Sequence, residues 1–110
     1  MTVPVEVTFR DIEHSDAVET RIREKAAKLG HFHDRIVSCH VVVESPQRQQ
    51  HQGKLMAVRI DLNVPGKEIV VNKIENEDVY VAIRDAFNAA TRQLEDFSRR
   101  QRGDVKNHSR

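Results

Sequence analysis

An apolar stripe near the end of the chain predicts one long amphipathic helix. Its members recur three or four positions apart over about five turns: Val79, Ile83, Ala86, Phe87, Ala90, Leu94 and Phe97. This spacing places them on one face of an α-helix, which we predict over about residues 77–101. A stripe of this length must be buried against another element, so the rest of the chain has to supply an apolar surface that covers it.

Alternating apolar residues earlier in the chain predict strands that can form this surface. Residues 56–64 alternate most clearly, and residues 36–44 do so with Cys39 among valines. Residues 3–9 form a shorter alternating segment, in which Pro4 favours an edge strand or the start of a strand. We therefore predict a strand in each segment, with one apolar face and one polar face.

The sequence VPGK at residues 64–67 predicts a tight turn. Pro65 presets φ at the second position of the turn, and Gly66 supplies the positive φ that a type II turn requires at the third. Residues 68–72 then return as a fourth strand, so residues 54–73 are predicted to form a hairpin. The polar residues 45–53 that precede it are predicted to form a loop.

A shorter helical pattern lies between the first two strands, at about residues 15–29. Ser15 can cap it, Gly30 suits the position just after its end, and its apolar face contains Val18, Ile22, Ala26 and Leu29. The order β-α-β-β-β-α predicts an α+β fold, a four-stranded sheet with both helices packed on one face. The predicted core contains Val37, Cys39, Val41, Met56, Val58, Ile60, Leu62, Ile83, Phe87 and Leu94.

Charge is distributed unevenly along the chain. The net charge is +1, and residues 98–110 contribute +4 from five basic residues and Asp104, which leaves −3 for residues 1–97. A slightly acidic body does not attract nucleic acid over its whole surface. We therefore predict a domain over residues 1–101 and a basic, disordered tail over residues 102–110. Residues 98–110, which carry the +4, are expected to add affinity without specificity.

Several classes of function find no support in the residues. Cys39 is the only cysteine and falls on an apolar strand face, and the histidines are not spaced as metal ligands. We expect no enzyme, no metal, no cofactor, no small-molecule substrate and no membrane partner, and a cytoplasmic location. Four Phe and one Tyr without Trp are too few for an aromatic platform that stacks on single-stranded RNA.

Basic residues form local groups that could contact RNA phosphates. Arg21, Lys25 and Lys28 fall within about 60° on the first helix and flank its apolar stripe. The second helix mixes its arginines with Glu95 and other acids, which weakens attraction to phosphates. The alternative is a solvated face with internal ion pairs. The predicted RNA-binding residues are Arg21, Lys25, Lys28, Arg84, Arg92, Arg99, Arg100 and Arg102.

Five short segments resemble one known family in sequence and order. They are SDAV at 15–18, KAAKL at 25–29, FHDRI at 32–36, EDVYVAI at 77–83 and RQL at 92–94. Together they resemble the two helices of the hibernation-promoting factor / ribosome-associated inhibitor A family, over about residues 3–97. Residues 51–66 resemble a subgroup of ribosomal subunit interface proteins. Additional C-terminal domains found in some relatives are not expected here.

The resemblance implies a fold similar in outline to a double-stranded RNA-binding domain. It also implies binding in the mRNA and tRNA channel of the small ribosomal subunit, where the protein blocks translation by steric occupancy. Lys25, Lys28 and Arg92 match positions where the family contacts ribosomal RNA. Ala89 and Asp96 stand where the family commonly has lysine. A free protein of this kind is expected to be a monomer.

Two other functions remain open at the level of sequence. A protein–protein adaptor that keeps the fold without binding ribosomes is favoured by the acids of the second helix. A binder of double-stranded RNA outside the ribosome is disfavoured, because the second helix begins with Glu77 and Asp78 rather than with lysines.

Overall fold

Four strands form one mixed sheet in the computed structural model, which describes residues 3–46 and 55–108, with side chains up to residue 102. The elements in chain order are β1 (Val5–Arg10), α1 (Asp16–Phe32), β2 (Ser38–Glu44), β3 (Met56–Val64), β4 (Lys67–Asn76) and α2 (Val79–His108). This confirms the predicted α+β class and its β-α-β-β-β-α order. The predicted loop at residues 45–53 lies mostly outside the described residues.

The order of strands across the sheet is the same as their order in the chain, β1-β2-β3-β4. β1 pairs with β2 in parallel, so the chain must cross over between them, and α1 provides that connection. β2 with β3 and β3 with β4 pair antiparallel. Gly66 has φ of 81° between β3 and β4, as the predicted type II turn requires.

Both helices bury their apolar stripes against the same set of sheet residues. Ile22 and Ala26 of α1 belong to one core with Ile83 and Phe87 of α2 and with the inward-facing residues of all four strands. The strands align these residues in rows, and one row joins Val7, Val41, Ile60 and Val71. Because both helices occupy one side, the other side of the sheet carries no helix among the described residues.

Two members of the predicted core differ from expectation. The prediction for Val37 is wrong, because its side chain is 55% exposed. β2 begins only at Ser38, so the alternating pattern extended one residue beyond the part of the strand that the core covers. Met56, the first residue of β3, is partly buried and packs against the edge of the core. The remaining predicted members are buried.

Gly30 lies inside α1 rather than after it, which corrects the predicted end of this helix. The Ser15 cap is confirmed, because its Oγ accepts a hydrogen bond from the backbone N–H of Val18. The helix ends where the N–H of His33 donates to the carbonyl of Leu29. A Cβ on Gly30 would collide with the side chain of Val3. The glycine therefore allows the segment before β1 to approach the helix closely.

A Gly30→Ala substitution is expected to have opposite effects in two backgrounds. With Val3 in place it should lower the free energy of unfolding, because the new methyl group displaces the Val3 side chain. In a Val3→Ala background it should raise it by about 0.5–1 kcal/mol, the usual gain from Gly to Ala inside a helix. Urea denaturation of the four chains measures this coupling, and equal effects in both backgrounds would contradict the close approach.

α2 continues to His108, past its predicted end at residue 101. The stretch after Phe97 has no apolar stripe, but its arginines and glutamine are good helix formers and no proline interrupts it. A helix can therefore run on beyond the residues that the sheet buries. The division into a domain at 1–101 and a basic tail at 102–110 stays a prediction.

Candidate nucleic-acid interface

A cleft between α1 and α2 brings the basic residues of α1 to one place. Arg21, Lys25, Lys28 and Phe32 are spaced four, three and four residues apart and fall within about 60° on the helix. They lie beside the buried stripe of Val18, Ile22, Ala26 and Leu29. The burial of that stripe against the sheet therefore fixes the direction in which the basic residues point.

Contacts with α2 show that this basic stripe faces the second helix. The guanidinium carbon of Arg21 lies 5.1 Å from the centroid of the Tyr80 ring, a cation–π geometry. Farther along, the two helices enclose a groove of about 200 Å³. We call this groove the helix cleft; its lining residues are Lys25, Lys28, Leu29, Phe32, His33, Phe87, Asn88, Thr91 and Glu95.

A second groove opens where α1 ends, and Phe32, His33 and Glu95 line both. This end groove has a volume of about 510 Å³ and is also lined by Asp34, Arg35, Ile36, Val64, Pro65, Leu94, Phe97, Ser98, Arg99, Gln101 and Arg102. Three arginines therefore face two carboxylates in the end groove. Arg35 is not among the predicted RNA-binding residues, although it lies within the FHDRI segment, because one arginine in a turn shows no periodicity.

Nearby carboxylates neutralise three of the predicted RNA-binding arginines. Arg84 lies 3.1 Å from Asp85 and Arg99 lies 2.6 Å from Asp96, while Arg21 makes a longer contact of 3.6 Å with Glu24. All three side chains are exposed, so each pair is weak and can open when a phosphate competes for the arginine. These arginines are therefore less available to RNA than cations without a carboxylate partner.

The other predicted RNA-binding residues have no carboxylate within 4.0 Å among the side chains that the structure describes, which end at residue 102. They are Lys25, Lys28, Arg92, Arg100 and Arg102. Lys25 and Lys28 line the helix cleft, Arg102 lines the end groove, and Arg92 and Arg100 are exposed on α2. The structure thus brings the α1 lysines together beside α2, and leaves Arg92 and Arg100 outside both grooves.

The uncovered side of the sheet has a different electrostatic character. Arg10 and Lys73 both bind Glu44, at 3.6 and 3.1 Å, and Arg59 lies 3.3 Å from Asp61. Polar neighbours on this side also bond to each other, as Thr8 does with His40 at 2.9 Å. The strand cations there are thus neutralised locally, whereas the helix side carries the cations without partners.

Catalytic chemistry has little support in this arrangement. Burial raises the pKa of the Cys39 thiol to about 11, and the nearby Asp61 carboxylate adds to the rise, so the thiol stays protonated at neutral pH. The pKa of the half-buried Glu19 is lowered by its hydrogen bonds to His14 and Arg23, which tie the start of α1 together away from the cleft. Within the described residues, no group of three potential ligands could hold a metal ion.

A membrane-spanning helix is also missing from the part of the chain that the structure describes. Neither described helix combines the length and the apolar composition that crossing a bilayer requires.

Comparison with known proteins shows the family to which this chain belongs. Residues 5–102 match the family described as sigma 54 modulation protein / S30EA ribosomal protein. The chain is 28% identical over 97 residues to a ribosome hibernation promoting factor of Pseudomonas putida, which covers 88% of each chain. It is 30% identical over 90 residues to one of Azotobacter vinelandii, which covers 82% of this chain and 78% of that relative.

Solved structures confirm the fold. A ribosomal subunit interface protein from Coxiella burnetii superposes with a TM-score of 0.72 at 17% identity, over 87% of this chain and 98% of the other. The N-terminal domain of Thermus thermophilus Protein Y superposes with a TM-score of 0.66 at 25% identity, over 88% and 99%. The family is non-enzymatic. Because the family match covers residues 5–102 of the 110, this protein belongs to the S30EA ribosomal protein / ribosome hibernation promoting factor family.

Proposed function

We propose that this protein binds the small ribosomal subunit in the mRNA and tRNA channel and blocks translation there by steric occupancy during stress. The observation that carries the proposal is the contrast between the two sides of the molecule. On the uncovered side of the sheet, Arg10, Arg59 and Lys73 are held by carboxylates, whereas Lys25 and Lys28 in the helix cleft have no carboxylate within 4.0 Å among the described side chains. The names of the relatives, which are ribosome hibernation promoting factors, point in the same direction.

The proposed mechanism requires only that the protein binds in the channel and excludes other molecules by its volume. Lys25, Lys28, Arg92 and the arginines at the end of α2 would bind phosphates of ribosomal RNA and displace their counterions, which supplies most of the affinity. Such contacts fix the orientation of a protein on RNA without selecting a base sequence. The rigid sheet behind the helices would then exclude mRNA and tRNA. The protein would act in the cytoplasm, as a monomer when free.

Sedimentation with purified ribosomal subunits at several salt concentrations tests this proposal. The protein should pellet with the small subunit at near-physiological salt, and the affinity should fall linearly with rising salt on logarithmic axes. Prior loading of the subunit with mRNA and tRNA should prevent binding. Failure to pellet with the small subunit would reject the proposed function.

The carboxylates of α2 favour a second candidate, a protein–protein adaptor. Glu95 lines both grooves and has no cationic partner within 4.0 Å in the described structure, while Asp85 and Asp96 hold Arg84 and Arg99. A protein partner with basic side chains would bind these groups, whereas RNA would be repelled by them. The effect of Glu95 on ribosome binding therefore separates the two functions.

Glu95→Gln is expected to tighten binding to the small subunit by roughly twofold to fivefold, because it removes one exposed negative charge beside the lysines. The gain should shrink as salt rises, since added salt screens that charge. Glu75→Gln is the matched control, because Glu75 is exposed on β4 and makes the same change in net charge away from the helices. Weaker binding of the Glu95→Gln protein would instead favour a contact between Glu95 and a cationic partner.

A further inference from the structure

Phe32 is an aromatic ring that the fold leaves in solvent. It is the last residue of α1, and its side chain is 69% exposed, more than that of any other large hydrophobic residue in the described structure. Its ring meets the neighbouring His31 ring edge to face, with 5.3 Å between centroids. Such a contact limits the orientations of the ring but leaves most of its area uncovered. The core therefore gives no reason for a phenylalanine at this position.

Cations surround this ring on both sides. Lys25 and Lys28 line the helix cleft with it, and Arg35 and Arg102 line the end groove with it. None of these four side chains has a carboxylate within 4.0 Å among the side chains that the structure describes. The ring thus lies where the two grooves meet, between two pairs of cations.

This combination matches the chemistry of a single-stranded nucleic acid. Proteins bind unpaired nucleotides by stacking bases on aromatic rings, while neighbouring cations hold the phosphates. An apolar protein surface is a poorer match, because five basic side chains line the two grooves around the ring against two carboxylates, which favours an anionic partner. Tyr80, the other exposed aromatic residue in the described structure, already has Arg21 over its ring. The scarcity of aromatic residues excludes a platform for several bases, but one ring is enough for one base.

We propose that Phe32 stacks on one unpaired base of the small-subunit RNA, while Lys25 and Lys28 on one side and Arg35 and Arg102 on the other bind the adjacent phosphates. This inference rests on the proposed function and adds to it a contact with a base. The phosphate contacts alone fix only the position of the protein along the RNA. Stacking on a base would make the protein bind a site with an unpaired nucleotide more tightly than a regular RNA double helix.

Three substitutions of Phe32 test the stacking. Phe32→Ala should weaken binding to the small subunit by about fivefold to 150-fold, the usual loss of one stacked base. The slope of log affinity against log salt should stay unchanged, because no phosphate contact is removed. Phe32→Leu keeps apolar area without a π face and should also weaken binding, whereas Phe32→Trp should bind at least as tightly as the wild type.

The Phe32→Trp protein also reports the contact directly. The chain has no tryptophan, so the new indole is the only one in the molecule. A base stacked on it should quench its fluorescence when purified small subunits are added, and an unrelated folded RNA duplex should not. Quenching together with the loss in the Phe32→Ala protein supports the inference.

Two results would overturn the inference while leaving the proposed function intact. One is wild-type affinity of the Phe32→Leu protein, which would make the ring an ordinary apolar contact. The other is tight binding of all three variants with no quenching of the indole. If the wild-type chain itself does not bind the small subunit, the proposed function fails, and the base contact fails with it.

Discussion

Phe87→Ala is expected to lower the free energy of unfolding by about 3–5 kcal/mol, the usual cost of truncating a buried phenylalanine. Phe87 is 4% exposed and packs in the core between the sheet and both helices. It also lines the floor of the helix cleft. Removing its ring leaves a cavity that the rigid sheet cannot fill. Urea denaturation followed by circular dichroism should show a clear fall in the midpoint.

Phe32→Ala provides a matched control for this substitution. It removes the same ring from a side chain that is 69% exposed, so the change in stability should stay within about 0.5 kcal/mol. The two truncations should therefore separate stability from binding, since one affects the core and the other the surface of the same cleft. Equal denaturation midpoints of the two variants would contradict the packing of α2 against the sheet.

Periodicity predicted the fold because burial repeats along every element. The apolar residues of α2 recur every three or four positions, those of β3 alternate, and both patterns report the side on which the core lies. Local sequence was less informative about the ends of elements. Glycine is typical of the position just after a helix, yet Gly30 lies inside α1, where Val3 packs against it. Val37 continues an alternating pattern, yet it lies before β2 and is exposed.

The candidate site was only partly predictable for a related reason. Lys25 and Lys28 were found because they share one helical face, which follows from spacing alone. The pairing of Arg84 with Asp85 and of Arg99 with Asp96 depends on side-chain geometry, so the sequence could not separate neutralised arginines from available ones. Phe32 was missed as a contact residue because an aromatic residue at a helix end is usually buried, and only the tertiary structure shows its exposure.

The charges on the side of the sheet without helices contrast with those on the helix side. The strand cations on that side are paired with carboxylates, so their electrostatic fields cancel over short distances. The two sides of the domain therefore differ in electrostatic potential although the net charge is only +1. On the proposed function, an approaching RNA surface would therefore be attracted to the helices rather than to the whole body. Net charge alone would have hidden this asymmetry.

Replacing Lys25, Lys28 and Arg92 together with Glu is expected to abolish sedimentation with the small subunit. Each reversal removes one potential phosphate contact and adds a repulsive charge, so the combined loss of affinity should be roughly 1000-fold or more at low salt. Any residual binding should show a flatter plot of log affinity against log salt, by somewhat under one unit for each contact removed. Lys28 and Arg92 are exposed and Lys25 is half-buried, so the melting temperature should change little.

A second triple variant on the opposite side of the sheet is the matched control. Arg10→Glu, Arg59→Glu and Lys73→Glu together make the same change, from a net charge of +1 to −5, because each reversal changes the charge by two units. This protein loses three ion pairs whose carboxylates, Glu44 and Asp61, are half-buried, so its folding must be checked by thermal denaturation before binding is measured. It should still pellet with the small subunit. Equal loss of binding by both triple variants would show that net charge, rather than the helix side, determines the interaction. If the cleft variant binds with an unchanged salt slope, the interface lies elsewhere on the molecule.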